Sequence, residues 1–426
     1  MLRIVSARKD ARRVSRRRST RALSNDASIR DAAIQLILRT GIDAISFRDV
    51  GREAGLTHGA LYARFEDVEE LLVDLWVESL SHRVIAMFEA ARNAAANPSE
   101  ETVGAVLDFV ANAEAADVAA VQVLLTSRRF VVLFEEVEEF VRLYLESAGE
   151  YSHVVQSRAL ALFSLITAKI FCNSEFGLNS DRLTFLRPVL LEALKTDSGE
   201  VLEVPLTEPY DRVIPPPRND LRSQLAYYTF HAVGRSGYTR ATISRISRRA
   251  SCSPGAIYKL YPSKEDLVIA ATRSIMRAPW ITVTTLAEIL NEGTLAQLLH
   301  AGASEQNTVR KNFVLEMVMA SAHNEKLRRA MAAQLEMIDR VGPLIVDISD
   351  DERARLQYMI REVVLLVLGV SFLSTVTTAV CEMDVNQFAE PFRRSLLDCS
   401  FPSWSDISRQ LKEMTSTMSA TPVAQA

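Results

Sequence analysis

Cysteine is scarce in this chain and widely spaced. Cys172, Cys252, Cys381 and Cys399 are the four present. They form no CxxC pair and no Cys/His ligand spacing, so neither a zinc site nor a disulfide framework is indicated. Reduced, buried thiols of a cytoplasmic protein are the plain expectation. The six histidines make no pair at useful spacing. No nucleophile elbow and no phosphate-binding loop occurs either, so no enzyme, metal or cofactor is implied. Glycine and proline are sparse too, at 15 and 14 of 426 residues. With long Ala/Leu/Val/Glu runs, that favours an all-α chain of two or three domains.

Long apolar runs are also few. The longest uncharged one, residues 363–381, reaches only the lower length limit of a membrane span. Its second half holds Ser371, Ser374, Thr375, Thr377 and Thr378, and Glu362 and Glu382 bracket it. A buried core or interface helix is expected there, and no membrane partner. The corresponding run of the first half, residues 159–171, is too short to span and contains Lys169.

What the chain does have is one segment twice. Residues 29–72 and 225–268 align without a gap at an offset of 196. Arg39/Arg235, Gly41/Gly237, Arg52/Arg248, Ala54/Ala250, Gly59/Gly255, Tyr62/Tyr258 and Leu71/Leu267 match. Such a long period means two whole domains rather than a solenoid. The chain then divides into a basic arm (1–26), a first unit (27–72), a first helical domain (73–196), a linker (197–220), a second unit (221–268), a second helical domain (269–414) and a tail (415–426). Pro215-Pro216-Pro217 mark the linker, because consecutive prolines favour a stiff extended connection.

Each copy has the grammar of three short helices. In the first, Ile29, Ala33, Leu36 and Ile37 share a helical face, and Gly41 stands where a C-cap glycine belongs. Ser46 is an N-cap for a helix over 47–54, Gly55-Leu56 is a tight turn, and Thr57 caps a helix from His58 to about Phe65. In the second, Thr242 and Ser253 cap, and Pro254 takes the first helical position. Two helices about a tight turn make a helix-turn-helix, whose second helix enters the major groove by its N-terminal residues.

The segments Thr57-His58-Gly59-Ala60-Leu61-Tyr62-Ala63-Arg64-Phe65 and Ser253-Pro254-Gly255-Ala256-Ile257-Tyr258-Lys259-Leu260-Tyr261 resemble the recognition helix of the TetR family of transcriptional regulators. The resemblance implies two tandem units, each a three-helix DNA-binding domain followed by a helical-bundle ligand and dimerisation domain. It implies base contacts from Thr57, His58, Gly59, Ser253, Pro254 and Gly255, and phosphate contacts from Tyr62, Tyr258 and Lys264. Arg48, Arg52, Ser244 and Arg248 on the second helix, with Arg64 and Lys259, complete the expected DNA set. Val68 replaces the family's lysine in the first copy, and Arg64 and Leu260 stand where it has histidine.

Charge separates the copies. Residues 29–72 hold five Arg against eight acids, and residues 225–268 hold seven Lys/Arg against two. Phosphate neutralisation carries most non-specific affinity, so the first unit needs the arm. Residues 1–21 carry nine Lys/Arg and one acid, and Arg16, Arg17 and Arg18 suit a minor groove. A solvated tail or an organellar presequence also fits that composition. A twin-arginine export signal lacks its apolar stretch. The resemblance further implies a small-molecule effector, with Trp76, Phe109, Phe130, Trp280 and Phe313 as candidate contacts and an apolar lipid or aromatic compound as its class. Residues 159–171 with 184–194, and 356–380 with 388–397, look like the helix pairs that form a bundle between subunits. Both pairs lie on one chain, which suggests an intramolecular pseudo-dimer, with a homodimer of chains left open. The expected function is a ligand-relieved repressor on an asymmetric double-stranded DNA operator; the alternatives are a regulator in which one unit alone binds DNA and the other half is a dimerisation and ligand scaffold, or a membrane-associated helical protein.

Overall fold

The computed structural model describes residues 20–147, 149, 151–173, 180–196, 220–276, 293–304, 308–339 and 349–400. Arg16, Arg17, Arg18, linker residues 197–219, Trp280 and the tail lie outside them. Among the described residues every regular element is helical.

The first half begins with α1 (Thr20–Thr40), a 3-10 turn (Ile42–Ala44), α2 (Phe47–Glu53) and α3 (His58–Tyr62). Helix α1 starts well before residue 26, where the arm was expected to end. The cause is a contact far along the chain: Asp26, almost fully buried, pairs with Arg64 Nε at 2.8 Å. Helix α4 (Val68–Leu75) runs through a π-helical stretch, Trp76–Leu80, into α5 (Ser81–Ala96). Then follow α6 (Glu100–Ala111), α7 (Ala115–Thr126), α8 (Val131–Phe140), α9 (His153–Phe171) and α10 (Ser180–Lys195).

The second half repeats the plan: α11 (Leu221–Ser236), α12 (Ile243–Arg249), α13 (Pro254–Leu260) and α14 (Lys264–Met276). Beyond them come α15 (Thr294–Ala303), α16 (Thr308–His323), α17 (Glu325–Asp339), α18 (Asp350–Leu373), α19 (Ala379–Glu382) and α20 (Asn386–Ser400). The uncharged run 363–381 is not one helix, since α18 ends at Leu373 and α19 starts only at Ala379.

Helices of the two halves pack on each other, α9 against α18 and α10 against α20. A Cβ on Gly369 of α18 would lie 1.9 Å from the Ser164 carbonyl oxygen of α9, so the two backbones touch at their crossing. Phe171 and Phe372 meet edge to face at 5.7 Å. Within the bundle Glu362 of α18, with 0 % of its side chain exposed, pairs with Lys169 at 2.6 Å and Arg182 at 2.7 Å, both from the first half. Burial pulls the Lys169 ammonium below its ordinary value, with Glu362 opposing. A charge at such a depth persists only when paired, so the triad links the two halves through ions that depend on each other. Among the described residues α9 and α18 are the single helices long and apolar enough to cross a membrane, and most of each apolar window is buried within the protein.

Candidate nucleic-acid interface

The two short helices of each unit are built by caps. Ser46 Oγ accepts from Asp49 N at 3.2 Å, Thr242 Oγ1 from Arg245 N at 3.3 Å, and Ser253 Oγ from Ala256 N at 3.2 Å. Thr57 occupies the cap position without a side-chain cap bond, and α3 is shorter than α13. Gly41 and Gly237 adopt φ of +84° and +82°, which closes the first helix of each unit. The turn between the paired helices needs the left-handed region as well. Gly55 supplies it in the first copy at φ +66°, and Ser251 adopts it in the second at φ +53°.

These elements leave matched faces open. Thr57, His58, Gly59, Ser253, Pro254 and Gly255 are all exposed, as are Arg48, Arg52, Ser244, Arg248 and Lys259. Tyr62 and Tyr258 are 57 % and 53 % exposed, although the adjacent Leu61 and Ile257 are buried. Phe47 and His58 brace Tyr62 edge to face, at 5.0 and 4.7 Å. Such a ring presents its hydroxyl at a fixed place, as a phosphate contact requires.

The electrostatics differ sharply. In the first copy Arg30 pairs with Asp74, Arg39 with Glu53, Arg52 with Asp49 and Arg64 with Asp26, at 2.7–2.9 Å. Arg48 alone of the five has no carboxylate partner among the described residues. Arg64 also donates to the Ala60 carbonyl at 2.8 Å, so it is turned into the unit rather than toward DNA. The second copy has no acid between Leu221 and Lys264, and Arg240, Arg245, Arg248, Arg249 and Lys259 are exposed there.

Lys264 departs from what the resemblance implies. Its ammonium donates to the Tyr238 carbonyl at 2.5 Å and lies 4.0 Å from the Tyr238 ring centroid. Burial pulls it below its ordinary value, with Glu265 opposing. In this conformation it holds the unit together and does not reach outward. The first copy has Val68 and Ile42 at the two matched positions, so an aliphatic pair stands there in place of the lysine and its aromatic partner. Burial, with a 2.9 Å bond to Glu265, raises the Tyr238 phenol well above its ordinary value.

Each unit is tied to the helices behind it. Glu69, at the start of α4, accepts from Val132 N at 2.5 Å and Leu133 N at 3.4 Å, capping α8. At the start of α14, Asp266 pairs with Lys326 of α17 at 2.6 Å. Sequence reasoning missed both contacts, since their partners lie some sixty residues away.

Of the aromatic residues expected around an effector, those described each pack on other partners. Trp76 packs on Phe140 at 5.2 Å, and Phe313 on Phe230 of α11 at 5.2 Å. Phe109 is half-buried, and Phe130 lies 5.9 Å from the Arg240 guanidinium of the other half.

The fold and its two open faces define a helix-turn-helix DNA-binding protein. The chain matches bacterial regulatory proteins of the tetR family over residues 29–75 and again over residues 231–271. No curated protein matches it. The chain therefore carries two TetR-family helix-turn-helix units in tandem and is a DNA-binding regulator.

Proposed function

We propose that this regulator works as a pseudo-dimer made from one chain, a repressor that reads an asymmetric operator and is released by a small molecule. The observation that carries this reading is the packing of α9 and α10 on α18 and α20, with the buried Glu362–Lys169–Arg182 triad across it. It gives the two heads a common rigid base. The exposed first turns differ, Thr57-His58-Gly59 against Ser253-Pro254-Gly255, so they suit two unlike half-sites about one helical turn apart or a multiple of it. An effector in either helical domain, for which the apolar interiors favour an apolar compound, would shift α4 or α14 through the Glu69–α8 cap or the Asp266–Lys326 pair.

A second reading, in which the second unit grips DNA and the first half is a scaffold, draws support from the internal pairing of the first unit's arginines. Hydroxyl-radical footprinting on DNA selected by the full chain separates the two. Two protected, unlike half-sites are expected, with Tyr62→Phe weakening one and Tyr258→Phe the other. Protection of a single half-site supports the scaffold reading, and a palindrome needed equally on both sides contradicts the asymmetric operator.

A further inference from the structure

The closing turns of the two first helices face the opposite half. A Cβ on Gly41 would lie 3.6 Å from the His323 ring. One on Gly237 would lie 3.3 Å from Glu316 Oε2 and 3.6 Å from both Arg129 Nη1 and Asp43 Oδ2. Here four charges meet, and each half contributes one carboxylate and one guanidinium. Asp43 and Arg129 come from the first half, Glu316 and Arg240 from the second. Arg129 pairs with both Asp43 and Glu316, and Arg240 reaches Asp43 Oδ1 at 3.7 Å. Glu316 accepts from Tyr238 N at 2.6 Å, and Met319 Sδ lies 3.5 Å from Arg129. The side chains of Asp43, Arg129 and Glu316 are only 7, 14 and 6 % exposed, so salt screens them little.

We infer that this junction is a positioning site: it clamps one reading head to the other and so sets the half-site spacing the protein accepts, with Arg129 as the residue that bridges the halves. The inference rests on the reading that both heads contact one duplex. The argument is geometric. One inserted base pair moves the second half-site by about 3.4 Å along the duplex and turns it by about 35°. Heads joined only through the distant bundle could follow by bending. Heads tied behind their first-helix turns through the shielded Arg129–Glu316 bridge cannot, because separating the halves leaves Glu316 buried without its cation.

The test uses the full chain. Nitroxides are attached through p-acetylphenylalanine at the matched exposed positions Glu66 and Pro262, and pulsed electron double resonance reads the distance between heads. Arg129→Met alone leaves a carboxylate unpaired and risks the fold, so the charge-balanced pair Arg129→Met with Glu316→Gln is measured beside it. The parent should give one narrow distance and the double variant a broadened or shifted one. On selected DNA carrying one or two inserted base pairs, the parent should lose at least about tenfold in affinity and the double variant less than about threefold. A double variant that melts cooperatively and keeps the parent's narrow distance overturns the clamp and leaves the two-headed reading standing. A parent indifferent to insertion overturns the two-headed reading, and the spacing claim with it.

Discussion

Ser251 is the residue on which the two copies differ most simply. It holds φ +53° where the first copy has Gly55 at φ +66°. A non-glycine residue there is strained. Ser251→Gly is therefore expected to raise stability by about 0.5–1 kcal/mol in denaturant melts, and Gly55→Ser to lower it similarly. Two histidines contribute to the loss of stability in mild acid. Burial, followed by Arg235 and Arg249, holds His231 below its ordinary 6.5, and burial also holds His323 below it, against a bond to the Arg39 backbone. A depressed folded pKa means the native state binds fewer protons than the unfolded one. That stability is complete above about pH 6.5 and is lost as pH falls through the folded values. The melting temperature should therefore decline below about pH 6.5, and His323→Gln should flatten the decline. A parent melting temperature that stays flat down to pH 5.5 would refute this. At this scale the caps Ser46, Thr242 and Ser253 and the closing glycines were legible, because each acts on residues within one turn, whereas Thr57 holds its cap position without a side-chain bond. The inward turn of Lys264 was not, since Tyr238 lies 26 residues earlier. Its signal was present nonetheless, since the first copy differs at both positions, with Val68 and Ile42.

Among elements, periodicity found the short helices of both units and the helix pairs of the bundle. It misplaced what depends on distant partners. Helix α1 extends back to Thr20 because Asp26 meets Arg64 of the third helix. The π-helical stretch Trp76–Leu80 interrupts a continuous helix that reads as regular in sequence. The uncharged run 363–381 breaks after Leu373, where Ser374 donates to Gly302 and Ser371 carbonyls and α18 stops. The contact of α9 with α18 makes Gly369 the sharpest test of the bundle. Gly369→Val must push the Ser164 backbone away, and should cost at least about 1–3 kcal/mol. The same change at Gly59, where a Cβ meets nothing within 4 Å, should leave the bundle intact. Melting of both variants, with proteolysis reporting on the α9–α18 contact, checks the difference.

At the scale of the whole molecule the balance of charge differs between the two heads. Arg248 and Arg249 are exposed in a stretch without acids, whereas Arg52 is paired with Asp49. Replacing Arg248 or Arg249 by Gln should each lower the slope of log affinity against log salt by about one, and Arg52→Gln by clearly less. Equal effects at all three would show that the Arg52–Asp49 pair opens on DNA. The tandem plan was legible from the repeat itself. The junction of the two heads was not, because Asp43, Arg129, Arg240 and Glu316 lie far apart in the chain and each reads alone as a surface charge. The claim that one chain supplies both heads is tested most directly by light scattering of the complex with the selected duplex at saturation. The account predicts one 47.4 kDa chain per duplex carrying both half-sites. A protein mass of two chains on that same duplex would contradict it.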